Sequence, residues 1–239
     1  RESYIMKNFL LTFWLLFFSV IGFADEAKLK GIIENIYPEL IVKSITKTEF
    51  NELYEVYIGG QIIYTDKNFN FLIVEGRIVD PSTKKDMTSE RLEVLTLVDF
   101  KALPFKYAIK DVRGSGKSKI AVFSDIDCPF CRRLEKQALA KLTDATIYTF
   151  LYPLAIHPEA EKKSKKIWCS ENPTLAWSEF MLKNKLPENQ GNCETPIKEI
   201  SFLAKELGVS STPTIIFSSG KRVEGAIPYS DLVKYLDNK

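Results

Sequence analysis

The stretch "SKIAVFSDIDCPFCRRLEKQ", residues 118–137, decides the fold. Its apolar first part, 118–125, is typical of a buried β-strand. The second part is charged and helix-forming from Pro129, and proline is favoured at the first helical position because its missing N–H would be unpaired there. The stretch therefore predicts a strand that leads directly into a helix, with Cys128 and Cys131 at the junction.

The two cysteines have different predicted environments. Cys131, Leu134, Ala138 and Leu142 recur at steps of three, four and four residues, which places them on one face of a helix. Cys131 is therefore expected to face the core, while Cys128 projects from the helix end. An exposed Cys128 thiolate could attack a disulfide in another molecule, and Cys131 could then resolve the mixed disulfide.

The charge around Cys128 bears on its reactivity. A helix N-terminus offers free N–H donors and a partial positive charge, which favour a thiolate. In such Cys-x-x-Cys motifs the cysteine pKa falls from about 8.5 to about 3.5–7.5. Arg132 and Arg133 are expected to act in the same direction, and Asp125 and Asp127 in the opposite direction.

The other possible roles of the cysteines are a metal site and a structural bridge. The four cysteines leave gaps of 2, 37 and 23 residues, whereas zinc ligands usually come as two close pairs. The single histidine, His157, has no neighbouring ligand and is placed on the surface or in a loop without a role. We predict no metal and no other cofactor. Cys169 and Cys193 are interpreted as a structural disulfide, with a second redox pair as the alternative.

The beginning of the chain predicts export. Lys7 is followed by an apolar run of 15 residues, 9–23, which is short for a membrane span. Small residues then precede a cut after Ala24, so residues 1–24 are read as a signal peptide, with an uncleaved anchor as the alternative. Disulfides persist in exported proteins, and the terminal "YLDNK" is no ER-retention signal. These features favour the bacterial periplasm.

Composition and patterning predict two domains in the mature chain. The formal net charge of +2 gives no reason to expect nucleic acid as a partner. Residues 25–85 are predicted to form a small α+β domain, with a helix at 26–36 and an antiparallel sheet built from "LIVKSITKTEF", "ELYEVYIGGQIIYTD" and "NFLIVEGRIVD". Gly59-Gly60 indicates a hairpin. So small a domain buries a thin core, which favours dimerisation. A linker helix is predicted over 86–105.

Residues 106–239 alternate strands with helices, which predicts an α/β domain. The predicted strands are 118–125, 145–153, 212–217 and 222–227, and the predicted helices are 129–143, 158–171, 195–208 and 229–238.

Four segments together resemble a known family: "FSDIDCPFCRRLEKQ", "IWC", "NC" and "GVSSTPTIIFSSGKRVEG". They are similar to the catalytic domain of the periplasmic disulfide isomerases of the DsbC/DsbG family. The resemblance implies a thioredoxin-like fold with a helical insertion, carried on an N-terminal dimerisation domain. It also implies a V-shaped homodimer around an apolar cleft, and a membrane thiol reductase of the DsbD type that keeps the active pair reduced.

Carried onto this sequence, the resemblance implies six functional residues. They are the nucleophile Cys128 and its partner Cys131, the structural bridge Cys169–Cys193, and the threonine and cis-proline that lie beside the active cysteines, Thr212 and Pro213.

The predicted function is a disulfide isomerase that rearranges incorrect disulfides in misfolded secreted proteins, with chaperone binding as a possible companion activity. One departure from the family pattern keeps alternatives open. The inner dipeptide is Pro129-Phe130, where DsbC-like isomerases commonly carry Gly-Tyr, and these residues influence redox poise. The alternatives are a thiol oxidase, a dedicated thiol reductase and a non-catalytic chaperone.

Overall fold

The computed structural model describes residues 20–237. The chain divides into two compact units, the first ending at Leu95 and the second beginning at Thr96. Residues 1–19 of the predicted signal peptide lie outside the described residues. Within the described part, no helix combines the length and the apolar character needed to cross a bilayer.

The first unit is a three-stranded antiparallel sheet, with one helix before the sheet and one after it along the chain. Its elements are α1 (Val20–Ile36), β1 (Val42–Lys47), β2 (Tyr54–Ile58), β3 (Gln61–Thr65) and α2 (Met87–Leu95). The predicted hairpin joins β2 to β3, where Gly59 and Gly60 have φ of 60° and 88°. Such positive φ values cost glycine little and other residues much.

Apolar side chains cover both faces of this sheet. Leu29 and Ile33 of α1 pack with Val56 on one face. On the other face, Tyr64 packs in a cluster with Leu92 and Leu95 of α2, and its hydroxyl lies 2.6 Å from Oγ1 of Thr88. Two buried faces on one short sheet explain how so small a unit forms a core.

Two predictions for this region are wrong in detail. Residues 70–80 form isolated bridges rather than a strand, because Glu75 lies in the left-handed region with φ of 58° and interrupts the extended backbone. The helix predicted within 86–105 ends at Leu95. Beyond it, the Val98 N–H donates to the Gly220 carbonyl at 2.9 Å, and Val98 is buried in the core of the second unit. The linker role of this segment stays a prediction.

The second unit is built on a five-stranded sheet in the order β4-β6-β5-β7-β8. β5 and β6 are parallel, and the other neighbouring pairs are antiparallel. The elements are β4 (Ile109–Arg113), β5 (Ser118–Ser124), α3 (Pro129–Gln137), β6 (Ala145–Leu151), α4 (Ala160–Trp168), α5 (Pro173–Lys183), α6 (Ile197–Leu207), β7 (Thr214–Phe217), β8 (Arg222–Glu224) and α7 (Tyr229–Asp237).

The central strand β5 is buried on both faces. Ile120 and Val122 point to the side covered by α3 and α7. Ala121 and Phe123 point to the opposite side, which α6 covers. This period of two is the strand periodicity on which the sequence prediction depended. With helices on both faces of the sheet, the predicted α/β class is confirmed.

Candidate active site

The junction between β5 and α3 holds the Cys-x-x-Cys motif. Cys128 is the N-cap of α3 and Pro129 is its first residue. The Cys128 N–H donates to the Asp125 carbonyl at 3.2 Å, and the Cys128 carbonyl accepts the Arg132 N–H at 3.1 Å. These bonds fix the turn from strand to helix, so the Cys128 sulfur lies where the first N–H groups of the helix are free.

Both cysteines are free thiols, and both are buried. Cys131 has no exposed surface, as expected for its helix face, whereas Cys128 is 5% exposed. The prediction that Cys128 projects into solvent is therefore wrong. The reason is a distant loop that covers the helix end: the Thr212 carbonyl oxygen lies 3.4 Å from the Cys128 Sγ and accepts a hydrogen bond from it when the thiol is protonated.

The covering loop contains a cis peptide bond between Thr212 and Pro213. It is anchored on both sides, because the Thr214 hydroxyl donates to the Ser211 carbonyl at 2.8 Å and the Gly225 N–H donates to the Pro213 carbonyl at 2.7 Å. The buried Thr212 hydroxyl has no hydrogen-bond partner other than the Cys128 sulfur among the described residues. It is therefore free to donate to a thiolate at Cys128.

The two thiols have opposite pKa shifts. The pKa of Cys128 is lowered from 9.0 to about 5, mainly because the Cys131 thiol donates a hydrogen bond to its sulfur. The main-chain N–H groups of Cys131 and Phe130 and the Thr212 side chain lower it further, against the opposing effect of burial. The pKa of Cys131 is raised, first by burial and then by its bond to Cys128. At neutral pH one thiolate is thus paired with one thiol.

The arginines of α3 have partners other than the Cys128 sulfur. Arg132 donates to the Asn184 side chain at 3.1 Å. The Arg133 guanidinium lies 5.1 Å from the ring centroid of Phe130. The main contributions to the lowered pKa of Cys128 are direct hydrogen bonds from the thiol pair, the helix end and Thr212.

The single histidine, His157, is paired with the buried carboxylate of Asp125 next to the dithiol, a contact that the sequence did not predict. The Asp125 N–H contacts the Cys131 Sγ at 3.4 Å. Its carboxylate Oδ2 lies 2.9 Å from Nδ1 of His157. His157 is in a loop, as the sequence suggested, but 32 residues separate it from Asp125, and no local pattern links the two positions.

A second buried carboxyl group lies further along α3. The Glu135 Oε1 accepts a hydrogen bond from the Trp177 indole N–H at 2.8 Å. Burial raises the pKa of Glu135 to about 7, and the hydrogen bond from Trp177 opposes this only in part. The contact fixes the insertion helix α5 against the helix that carries the dithiol.

Cys169 and Cys193 form a disulfide at the C-terminal end of α4, with Cα atoms 5.6 Å apart. The bridge joins α4 to the loop that precedes α6. In the part of the chain that the structure describes, no group of three or more His, Cys, Asp or Glu side chains is placed to hold a metal ion.

Known proteins match both parts of the chain. A family model for a thioredoxin-like domain matches residues 105–239, and one for the N-terminal domain of disulfide bond isomerase proteins matches residues 21–89. A probable thiol:disulfide interchange protein DsbC from Bordetella pertussis is 37% identical over 191 residues, which are 80% of this chain and 67% of that protein. The thiol:disulfide interchange protein DsbC of Escherichia coli is 31% identical over 123 residues, 51% of each chain.

A solved structure agrees with these matches. The crystal structure of a disulfide interchange protein from Neisseria gonorrhoeae has a TM-score of 0.54 and 38% sequence identity, and it covers 57% of this chain and 100% of that one.

One ionised and one protonated thiol, on a thioredoxin-like sheet, define the class: this is a thiol–disulfide oxidoreductase. Within that class, the N-terminal match narrows the assignment. The chain belongs to the DsbC family of disulfide bond isomerases.

Proposed function

We propose that this chain rearranges incorrect disulfides in secreted proteins, with Cys128 as the nucleophile and Cys131 as its resolving partner. The observation that supports this best is the position of the Cys128 sulfur between the start of α3 and the Thr212 carbonyl, 3.4 Å away. The thiolate receives hydrogen bonds from the Cys131 thiol, from the Cys131 and Phe130 N–H groups and from the Thr212 side chain, while the Cys131 sulfur stays buried and protonated.

The reaction is thiol–disulfide exchange. The Cys128 thiolate attacks one sulfur of a substrate disulfide, forms a mixed disulfide, and releases the second substrate sulfur as a thiolate. A substrate thiolate then attacks the mixed disulfide, forms a new substrate disulfide, and regenerates the Cys128 thiolate. Every S–S bond that breaks is replaced by one that forms, so the cycle needs no cofactor and no net oxidant.

Cys131 acts when no substrate thiolate completes the cycle. Its sulfur attacks Cys128 in the mixed disulfide, its proton passes to the departing substrate thiolate, and the substrate leaves reduced. The enzyme then holds a Cys128–Cys131 disulfide and needs two electrons to return to its active form. We assign that supply to a membrane thiol reductase of the DsbD type.

The loop at Thr212 and Pro213 is proposed to bind substrate. It covers the Cys128 sulfur, so a substrate sulfur that reaches Cys128 must approach beside this loop. The bridge between Cys169 and Cys193 is proposed to be structural, because both thiols are consumed in it and it ties the end of α4 to the loop before α6.

The first unit is proposed to form a homodimer. Phe71, Leu72, Ile73 and Val74 form a continuous apolar run that is 39–56% exposed. A run of this kind on a small unit is typical of an interaction surface. A second copy of the chain, offering the same run, would bury it in the symmetric interface that most homodimers form.

The proposed location is the periplasm, with export directed by residues 1–24. An oxidising compartment is where the Cys169–Cys193 bridge persists and where incorrect substrate disulfides arise.

The test is the refolding of a scrambled multi-disulfide protein by the pre-reduced full chain. We expect recovery of native substrate with the wild type and none with Cys128→Ser. Strong oxidation of a reduced substrate, with no recovery of the scrambled one, would favour the oxidase alternative that Pro129-Phe130 leaves open.

A further inference from the structure

The loop between β6 and α4 contacts the side chain of Asp125, which lies next to the active dithiol. Nδ1 of His157 lies 2.9 Å from Oδ2 of Asp125. The Asp125 main chain in turn donates to the Cys131 sulfur at 3.4 Å. Asp125 thus links His157 to the dithiol, and neither of these two contacts joins His157 directly to a sulfur.

The Asp125 carboxylate has no exposed surface. It accepts the Asp127 N–H at 2.8 Å and the Leu154 N–H at 2.7 Å, in addition to its contact with His157. A buried carboxylate needs hydrogen bonds and an opposite charge to offset its loss of hydration. Of its partners, only His157 can carry that charge.

This inference builds on the dithiol chemistry of the proposed function. We propose that His157 is a positioning residue for the reaction: as an imidazolium paired with Asp125, it cancels the buried negative charge that would otherwise oppose the Cys128 thiolate. The histidine acts on the sulfur only through the charge of this pair.

The other charges around His157 are compatible with this role. Asp127 is held by its own partner, since Lys163 Nζ lies 2.6 Å from Oδ1. The pKa of His157 is raised, first by its hydrogen bond to Asp125 and then by the negative charges of Asp125, Cys128 and Asp127. A larger share of His157 is therefore charged at neutral pH than of an ordinary histidine, and the share increases as the pH falls.

The attraction between His157 and Cys128 is mutual, so loss of the imidazolium charge must raise the pKa of Cys128. The direct hydrogen bonds to the sulfur remain, and we expect a rise of about half a pKa unit from one distant charge. Below pH 5 this corresponds to about threefold less thiolate and about threefold slower alkylation of Cys128. At pH 8 the rates should match, because Cys128 is ionised in both proteins.

The experiment measures the alkylation rate of Cys128 against pH in the pre-reduced full chain. His157→Gln removes the charge and keeps a polar side chain. His157→Lys restores a positive charge. Lys162→Gln is the matched control, because it removes a nearby positive charge that is 74% exposed and lies 4.0 Å from Glu159 rather than near Asp125. A second variant, Asp125→Asn combined with His157→Gln, removes both charges of the pair.

We expect the plot of Cys128 alkylation rate against pH to shift to higher pH in His157→Gln. The plots for His157→Lys and Lys162→Gln should match that of the wild type. The double variant should return toward the wild-type profile. A wild-type profile for His157→Gln, or an equal shift in Lys162→Gln, would overturn the inference. So would a double variant shifted as far as His157→Gln alone, which would indicate a loop-ordering role. A wild-type Cys128 without a lowered pKa would instead refute the proposed function.

Discussion

The sulfur of Cys128 contacts the main-chain carbonyl of Thr212 at 3.4 Å, across 84 residues of sequence. This one contact joins the start of α3 to the loop before β7. It buries the sulfur that must react and, at the same time, holds it beside a hydroxyl that can stabilise its ionised form. Access and activation of Cys128 therefore depend on the same loop.

The Thr212 hydroxyl gives the first prediction. Thr212→Val keeps the shape of the side chain and removes a donor that has no other partner among the described residues. Because a hydrogen bond to a charged group is stronger than one to a neutral group, we expect the pKa of Cys128 to rise by about one unit. The measurement is thiolate absorbance against pH. Ser211→Ala is the control, since its hydroxyl bonds to Glu224 instead; an equal rise in both variants would refute the assignment.

The raised pKa of Glu135 predicts a pH-dependent stability. An acid whose pKa is about 7 in the folded protein and 4.5 when unfolded holds its proton more tightly in the folded state. The contribution of protonated Glu135 to the free energy of unfolding is complete below about pH 4.5 and is lost as the pH rises through about 7. Glu135→Gln keeps an acceptor for the Trp177 indole and abolishes the titration. In urea unfolding, we expect the free energy of unfolding of the variant, relative to that of the wild type, to rise by up to about 3 kcal/mol as the pH increases from 4.5 to 8. A constant difference over that range would contradict the buried-acid interpretation.

The bridge between Cys169 and Cys193 closes a segment with a sequence separation of 24. Chain entropy then predicts that the double variant Cys169→Ala, Cys193→Ala is less stable by about 3 kcal/mol. Urea unfolding at fixed pH measures this, and the rate of Cys128 alkylation in the folded variant serves as the control. If the variant kept full stability but lost isomerase activity, the bridge would be a second redox pair.

The apolar run from Phe71 to Val74 predicts the assembly state. Leu72→Asp with Val74→Asp places two charges on side chains that are 42% and 56% exposed, where the proposed dimer would bury them at a cost of several kcal/mol. We expect a monomer by sedimentation. Phe202→Asp alters an equally apolar, 64% exposed site in the second unit and should leave a dimer. A dimer in both variants would place the interface elsewhere.

Sequence reasoning succeeded where local patterns set the structure. The strand β5 followed from its run of apolar residues, and the start of α3 followed from Pro129. It failed where structure depends on distant contacts. α5 was missed although Asn172 caps it and Pro173 begins it, a signal that could have been used. The burial of Cys128 could not be predicted, because the covering residue, Thr212, lies 84 positions away.

The contact between Asp125 and His157 was missed for the same reason. Each residue lies in a segment whose local pattern gives no sign of the other, and only the packing of the β6–α4 loop brings them together. In contrast, the assignment of Cys128 and Cys131 as partners needed only the helix period, since they lie three positions apart with two residues between them.

The most direct test of the account is the site of alkylation in the reduced wild-type chain. Short pulses of iodoacetamide from pH 4 to 10, followed by peptide mass spectrometry, give a separate rate for each cysteine. The account predicts that Cys128 is labelled with a midpoint of about pH 5 while Cys131 stays unlabelled. Equal labelling of both, with midpoints near the ordinary thiol value of 9.0, would contradict it.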